Sequence, residues 1–187
     1  MPKELFSAIN NYDPAKIQRE LQDLQKTLNQ AESIEEIIAL GTTGNHYKSA
    51  PLKLNLYKFK DNVTDEILGT MVELFPQLEE IDLFNCQKIT DAGIAHLKGL
   101  TNLQNLNLGR INITEAGVAH LAGIMQLKTL KLYHTGITDE GLIKLQLDQL
   151  TSLDISENNI TDEGLALQSN VTPQLTKLIM ENTKNHT

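Results

Sequence analysis

The chain has 187 residues, a formal net charge of −8, one cysteine and no tryptophan. That length suits about one domain, and the acidity disfavours nucleic-acid phosphates and anionic membranes as partners. Cys86 alone cannot form an internal disulfide, no apolar run reaches membrane-spanning length, and the N-terminus lacks the apolar core of a secretory signal, so the expected setting is the cytoplasm.

The first fifty residues carry helix signals. Asp13-Pro14 is a helix start with Pro at the first helical position. Ile17, Leu21, Leu24 and Leu28 then make an apolar stripe on a helix running to about Gln30. Ser33-x-x-Glu36 is a capping box ahead of Ile37, Ile38 and Leu40, with Gly41 as the stop. Gly41 to Ala50 reads as a polar linker. Residues 1–50 are expected to form a helical cap over the first strand of a repeating segment.

From about Pro51 the chain repeats itself. Leu78-Glu-Glu-Ile81-Asp-Leu83 returns as Leu103-Gln-Asn-Leu106-Asn-Leu108, Leu127-Lys-Thr-Leu130-Lys-Leu132 and Leu150-Thr-Ser-Leu153-Asp-Ile155. After each comes Ile-Thr-Asp/Glu-x-Gly, at Ile89, Ile113, Ile137 and Ile160. A degenerate unit starts near Pro51, with Leu54, Leu56 and Val63-Thr64-Asp65-Glu66 in the matching places, and a last one starts at Leu175. Counting the first Leu as position one, positions four to six alternate as in a strand with one buried face. The Thr of the second motif is a good helix N-cap, as is the following Asp, and the spacing does not separate them. Gly93, Ile94 and Leu97 read as the inner face of a short helix, with Gly99 as its stop, and Gly117, Val118 and Leu121 repeat the pattern ahead of Gly123. The Gly two residues after the acid is expected to admit a close approach of backbones between units. Eight of the 24 acids sit at these helix starts, so the net charge is partly a helix-dipole feature. The last unit has a strand, Leu175 to Met180, without a helix, and residues 184–187 form a tail.

These units resemble the leucine-rich-repeat superfamily, whose period of roughly 20–29 residues they share. The resemblance covers residues 51–183, about six units. It is nearest the cysteine-containing subtype, with Cys86 at position nine and Ile111, Thr135 and Asn158 standing there in later units. It implies an α/β solenoid, with a curved parallel sheet inside and short helices outside. It also implies a protein-binding surface and no enzymatic activity. In size and in its Asn, Gln, Lys and Ile flavour the chain is similar to small effectors of intracellular bacterial pathogens, which would make translocation into a host cell its route. A shorter likeness, Met1-Pro2-Lys-Glu4-Leu5 to Tyr12-Asp13-Pro14, is similar to an F-box opening, and would imply a ubiquitin-ligase adaptor.

No constellation calls for catalysis, a cofactor or a metal. His96 and His120 hold the same place in successive helices, but Lys144 and Leu167 come next in register, short of the three or four ligands a metal site needs. Cys86 has no base in its motif and reads as a turn residue of the core. The Asp residues of the Ile-Thr-Asp motif recur with the period, which marks them as scaffold.

Function is therefore expected where the units differ. Positions three, five and seven point out of the concave sheet. Column seven holds Tyr57, Phe84 and Tyr133, three of only eight aromatics. Aromatic rings bury much area at low entropy cost, which suits binding anchors. Asp82, Asn107, Lys131 and Asp154 in column five, with Arg110 and His134 in column eight, are expected to give specificity. Six strands make roughly 24 Å of sheet, a face on the order of 400 Å2, against about 800 Å2 per partner in a standard interface. The loops after position seven are thus expected to contribute. The expected partner is one protein, an enzyme or another effector among the candidates, bound by a chain that is monomeric when unbound. Blocking that protein's active site is one expected mode.

Overall fold

The computed structural model describes residues 14–43, 52–168 and 172–183. The F-box-like opening before Pro14, the linker from residue 44, the tail 184–187, and His46 and His186 lie outside the described residues.

Helix α1, Pro14–Gln30, starts at its proline and buries Leu24 and Leu28; the side chains of Ile17 and Leu21 lie outside the described ones. Ser33 caps α2, Ile34–Thr43, by accepting from the Glu36 N–H at 3.2 Å, and Glu36 reaches back to the Glu32 N–H at 2.7 Å. Gly41 does not stop α2, which runs two residues further. A Cβ there would stand 2.7 Å from the Leu74 Cβ and 2.9 Å from the Phe75 ring. The glycine is needed because α2 lies directly on the next helix, a contact more than thirty residues away in sequence.

The remaining elements are strand-turn-helix units. β1 (Leu52–Asn55) leads to α3 (Asp65–Leu74), β2 (Leu78–Asp82) to α4 (Asp91–His96), and β3 (Asn105–Asn107) to α5 (Glu115–Leu121). β4 (Thr129–Lys131) leads to α6 (Asp139–Ile143), β5 (Ser152–Asp154) to α7 (Asp162–Gln168), and β6 is Lys177–Ile179. Among the described residues the strands form one parallel sheet in sequence order. Positions three, four and five of each unit pair with the same positions of the next. From β1 to β5 the residues at positions four and six are between 0% and 3% exposed. They join the inner helix residues in one continuous core, which no single unit could bury alone.

The helix starts settle the N-cap. Thr64, Thr90 and Thr114 accept from the N–H of Ile67, Ala92 and Ala116 at 3.3, 3.2 and 3.1 Å. The next residue, Asp, does something else: it reaches into the following unit. Asp65 accepts from the Thr90 N–H at 2.8 Å and from its hydroxyl at 2.6 Å. Asp91 clasps Thr114 and Asp139 clasps Thr161 in the same two-point way. A Cβ on Gly93, Gly117 or Gly164 would overlap these carboxylates. Each glycine is therefore required by the preceding unit's Asp, not by a backbone approach. Gly99 ends a 3-10 turn, Leu97–Gly99, that extends α4, and Gly123 follows α5, but neither adopts the left-handed conformation, which among the described glycines only Gly136 shows.

Glu115 breaks the series. Its carboxylate bonds the Thr138 hydroxyl at 3.1 Å, Thr138 makes no side-chain cap, and a Cβ on Gly141 would meet nothing closer than 3.4 Å. Gly141→Ala should therefore raise stability by up to about 1 kcal/mol through helix propensity. Gly93→Ala should lower it by about 1–3 kcal/mol through overpacking. Glu115→Asp should also gain about 1 kcal/mol by completing the clasp. Because the new carboxylate would fill the space above Gly141, E115D and G141A combined should fall short of the summed gains. Urea denaturation of the four variants measures this.

Candidate functional site

The concave face is organised in columns. In column five, Asn55, Asp82, Asn107 and Asp154 each accept from the N–H two residues on, at 2.9, 2.9, 3.0 and 3.1 Å. These turns, in which a side chain stands in for backbone, close the end of each strand. Asn107 also donates to Asp82 at 3.1 Å. The acids and amides of this column thus carry a structural duty. Lys131 and Ile179 depart from the pattern, and the Lys131 side chain is exposed.

Column seven holds the aromatic residues. Tyr57 lies on Phe84 with ring centroids 5.3 Å apart and planes at 26°. Phe84 lies on Tyr133 at 5.6 Å and 29°, although a whole unit separates them. That unit contributes Gly109, and the Tyr133 ring occupies the space its side chain would take. The absence of a side chain at Gly109 lets three rings form one shelf. Sequence reasoning counted the rings but missed the glycine between them; its departure from the large residues around it was the available signal. Tyr57 is 47% exposed, while Phe84 and Tyr133 are half-buried. Burial raises the Tyr133 phenol above its ordinary pKa, with nearby Arg110 pulling the other way.

Column eight turns the chain out of the sheet. Asn85, Arg110, His134, Glu157 and Asn182 all have φ between 52° and 60°. Their conformation lets the N–H of Asn85, Arg110, His134 and Glu157 reach the position-seven carbonyl of the next unit, at 2.8 to 3.0 Å. Asn tolerates this region, whereas Arg, His and Glu adopt it less readily. The Arg110 guanidinium sits 5.8 Å from the Phe84 ring centre, and His134 Nδ1 is 3.2 Å from Glu157. Lys58, the rim residue of the first unit, instead donates to the Ala31 carbonyl at 3.1 Å.

The structure brings Tyr57, Phe84, Tyr133 and Arg110 into one contiguous group. Asp82, Asn107 and Lys131 line a depression of about 210 Å3 on the sheet. Arg110 and His134 line a larger one of about 540 Å3 at the rim, with Gln87, Asn112 and Glu157. Asp154 stands apart in the fifth unit, with one oxygen committed to Ser156.

Other chemistry-bearing residues are scaffold. Cys86 is fully buried, and burial, helped by the negative charge of Asp82, pushes its thiol up to about 12. At neutral pH it is a protonated filler, like Ile111 one unit on. Thr135 and Asn158 hold the same buried place through hydrogen bonds. Asn158 accepts from the Thr135 and Gly136 N–H groups and donates to the Leu132 and Ile155 carbonyls. His96 is exposed, His120 is half-buried, and among the described residues no group of three His, Cys, Asp or Glu could hold a metal ion. No described helix is long and apolar enough to cross a membrane.

Similarity to known proteins agrees with this geometry. Residues 76–97, 125–145 and 150–167 match the Leucine Rich repeat family. The units carrying these matches are similar to leucine-rich repeats, and the fold is an α/β solenoid. The chain is similar to one in the crystal structure of the Rad7 and Elc1 complex in yeast, at 16% identity and a TM-score of 0.51. The alignment covers 76% of this chain and 45% of that one, so the likeness is one of fold over less than half of the other chain. No curated protein matches the chain.

Two outcomes test the site's local physics. The raised folded pKa of Cys86 means that its stabilising contribution is complete below the ordinary thiol value of 9.0 and is lost as pH rises towards about 12. Cys86→Ala should make the alkaline loss of stability shallower, by at most about 1.4 kcal/mol per pH unit, in denaturation series across that window. Relieving the left-handed backbone, His134→Gly should gain up to about 1 kcal/mol. Arg110→Gly should gain less, because its ring contact is worth about 0.5–1 kcal/mol. Thermal melts of the two variants compare them.

Proposed function

We propose that the solenoid docks one protein partner on its concave face. Tyr57, Phe84 and Tyr133 are the anchors, and Asp82, Asn107, Lys131, Asp154, Arg110 and His134 the polar surround. The observation that carries this reading is the ring stack seated on Gly109. A core does not require it, and it holds three aromatics in place before a partner arrives, which lowers the entropy cost of binding. A mixed-sign rim around an apolar centre is the usual anatomy of a protein interface. In this reading residues 1–50 act as the cap and residues 51–183 as the receptor. A rigid concave wall of this size suits covering a partner's active site or regulatory surface, so blocking or regulating that partner is the proposed mode. A single cysteine, which leaves the fold no internal disulfide to rely on, suits a reducing compartment, the cytoplasm of the producing cell or of a host, as the place of action.

The test is a quantitative pull-down with mass spectrometry, using the native chain and the Y57A/F84A/Y133A variant. The variant should stay folded by circular dichroism, losing about 1–3 kcal/mol of stacking. It should lose the captured partner by at least tenfold. A folded variant that retains the same partner contradicts the reading.

A further inference from the structure

The two edges of the sheet are finished differently. At β1 the side-chain amide of Gln25 acts as a substitute strand: it donates to the Lys53 carbonyl and accepts from the Lys53 N–H, both at 2.8 Å. At β6 the described residues offer no such cover. Leu178 and Met180 occupy positions four and six, which are nearly sealed in every other unit, yet they are 36% and 39% exposed.

The hydrogen bonds of β6 show which of its backbone groups have no partner among the described residues. The Lys177 N–H bonds to Thr151, the Ile179 and Glu181 carbonyls accept from Ile155 and Glu157, and the Glu181 N–H bonds to the Ser156 hydroxyl. Residues 177, 179 and 181 therefore face β5. By the alternation of a strand, Leu178 and Met180 turn their N–H and C=O groups to the open side.

The sequence of this edge is self-complementary. Lys177-Leu178-Ile179-Met180-Glu181, run antiparallel against a second copy about Ile179, places Leu178 opposite Met180 of that copy in a hydrogen-bonded pair. Both residues in that pair present their free backbone groups. The same register sets Lys177 opposite Glu181 of the second copy in the closer, non-hydrogen-bonded pairs, twice by symmetry. Lys177 and Glu181 are exposed, and neither has an ion-pair partner among the described residues. A slip of two residues either way loses both ion pairs. An edge lysine ordinarily deters pairing; here the lysine of each copy meets a glutamate.

We propose that β6 is a self-association edge, through which two copies pair antiparallel about Ile179. The pairing closes four backbone hydrogen bonds, covers the apolar ends Leu178 and Met180, and forms two Lys177–Glu181 ion pairs. One short strand falls well below the about 800 Å2 per partner of a stable interface, so the dimer is weak and forms at high concentration. The expectation of a monomer describes the dilute state. Joined this way, two concave faces lie edge to edge, and a partner with two equivalent surfaces gains avidity.

Sedimentation velocity of the full chain, over a concentration series reaching the millimolar range, tests this. The mass should rise towards that of a dimer. K177E and E181K should each weaken association by about tenfold, since each sets like charges opposite one another twice. The double variant K177E/E181K should restore it, and an equimolar mixture of the two single variants should associate more strongly than either alone. A monomer at every concentration, charge reversals without effect, or a double variant that stays as weak as the singles would overturn the proposal.

Discussion

The structure depends on the clasp between each Asp and the Thr of the next unit. It ties the start of one helix to the start of the next by two hydrogen bonds to an ionised carboxylate, a stronger kind of bond than a neutral pair makes. It also fixes the glycine beneath it, since the carboxylate occupies the space of a Cβ. Helix starts held in register hold the strands in register, and every column of the concave face depends on that. Glu115 marks the position where the clasp is incomplete, and there the glycine has room above it.

Register turns a list of side chains into a surface. Neighbouring strands lie about 4.8 Å apart, close to the ring spacing of Tyr57 and Phe84. Phe84 and Tyr133 sit two strands apart, about 9.6 Å by the same rule, yet their rings are 5.6 Å apart. The difference is the lean of Tyr133 across Gly109. Arg110, from the same unit as the glycine, then reaches the Phe84 ring. One missing side chain thus organises the apolar centre of the face, and the column-five turns below it hold the strand ends still.

Much of this was legible in the sequence because it is periodic. The solenoid, the six strands, the helix starts and the buried columns follow from spacing alone. What escaped was pairwise. Gly41 reads as a helix stop, but its neighbour is Leu74, which no local pattern announces. Gly93 reads as a backbone contact, but its neighbour is the Asp65 carboxylate of the previous unit. Asp82, Asn107 and Asp154 read as free polar groups, yet each hydrogen-bonds the backbone two residues on. Gln25 carries no motif at all, and only the fold shows it standing in for a strand. Sequence spacing reports period, whereas these contacts depend on which unit lies beside which.

The concave face thus divides into residues that keep the solenoid in register and residues left for a partner. Hydrogen–deuterium exchange of the complex with its captured partner tests that division most directly. Binding should slow exchange at the strand ends and rim, around residues 55–58, 82–85, 107–110 and 131–134, and leave the outer helices α3 to α7 unchanged. Protection confined to the outer helices, with the aromatic shelf unaffected, would contradict it.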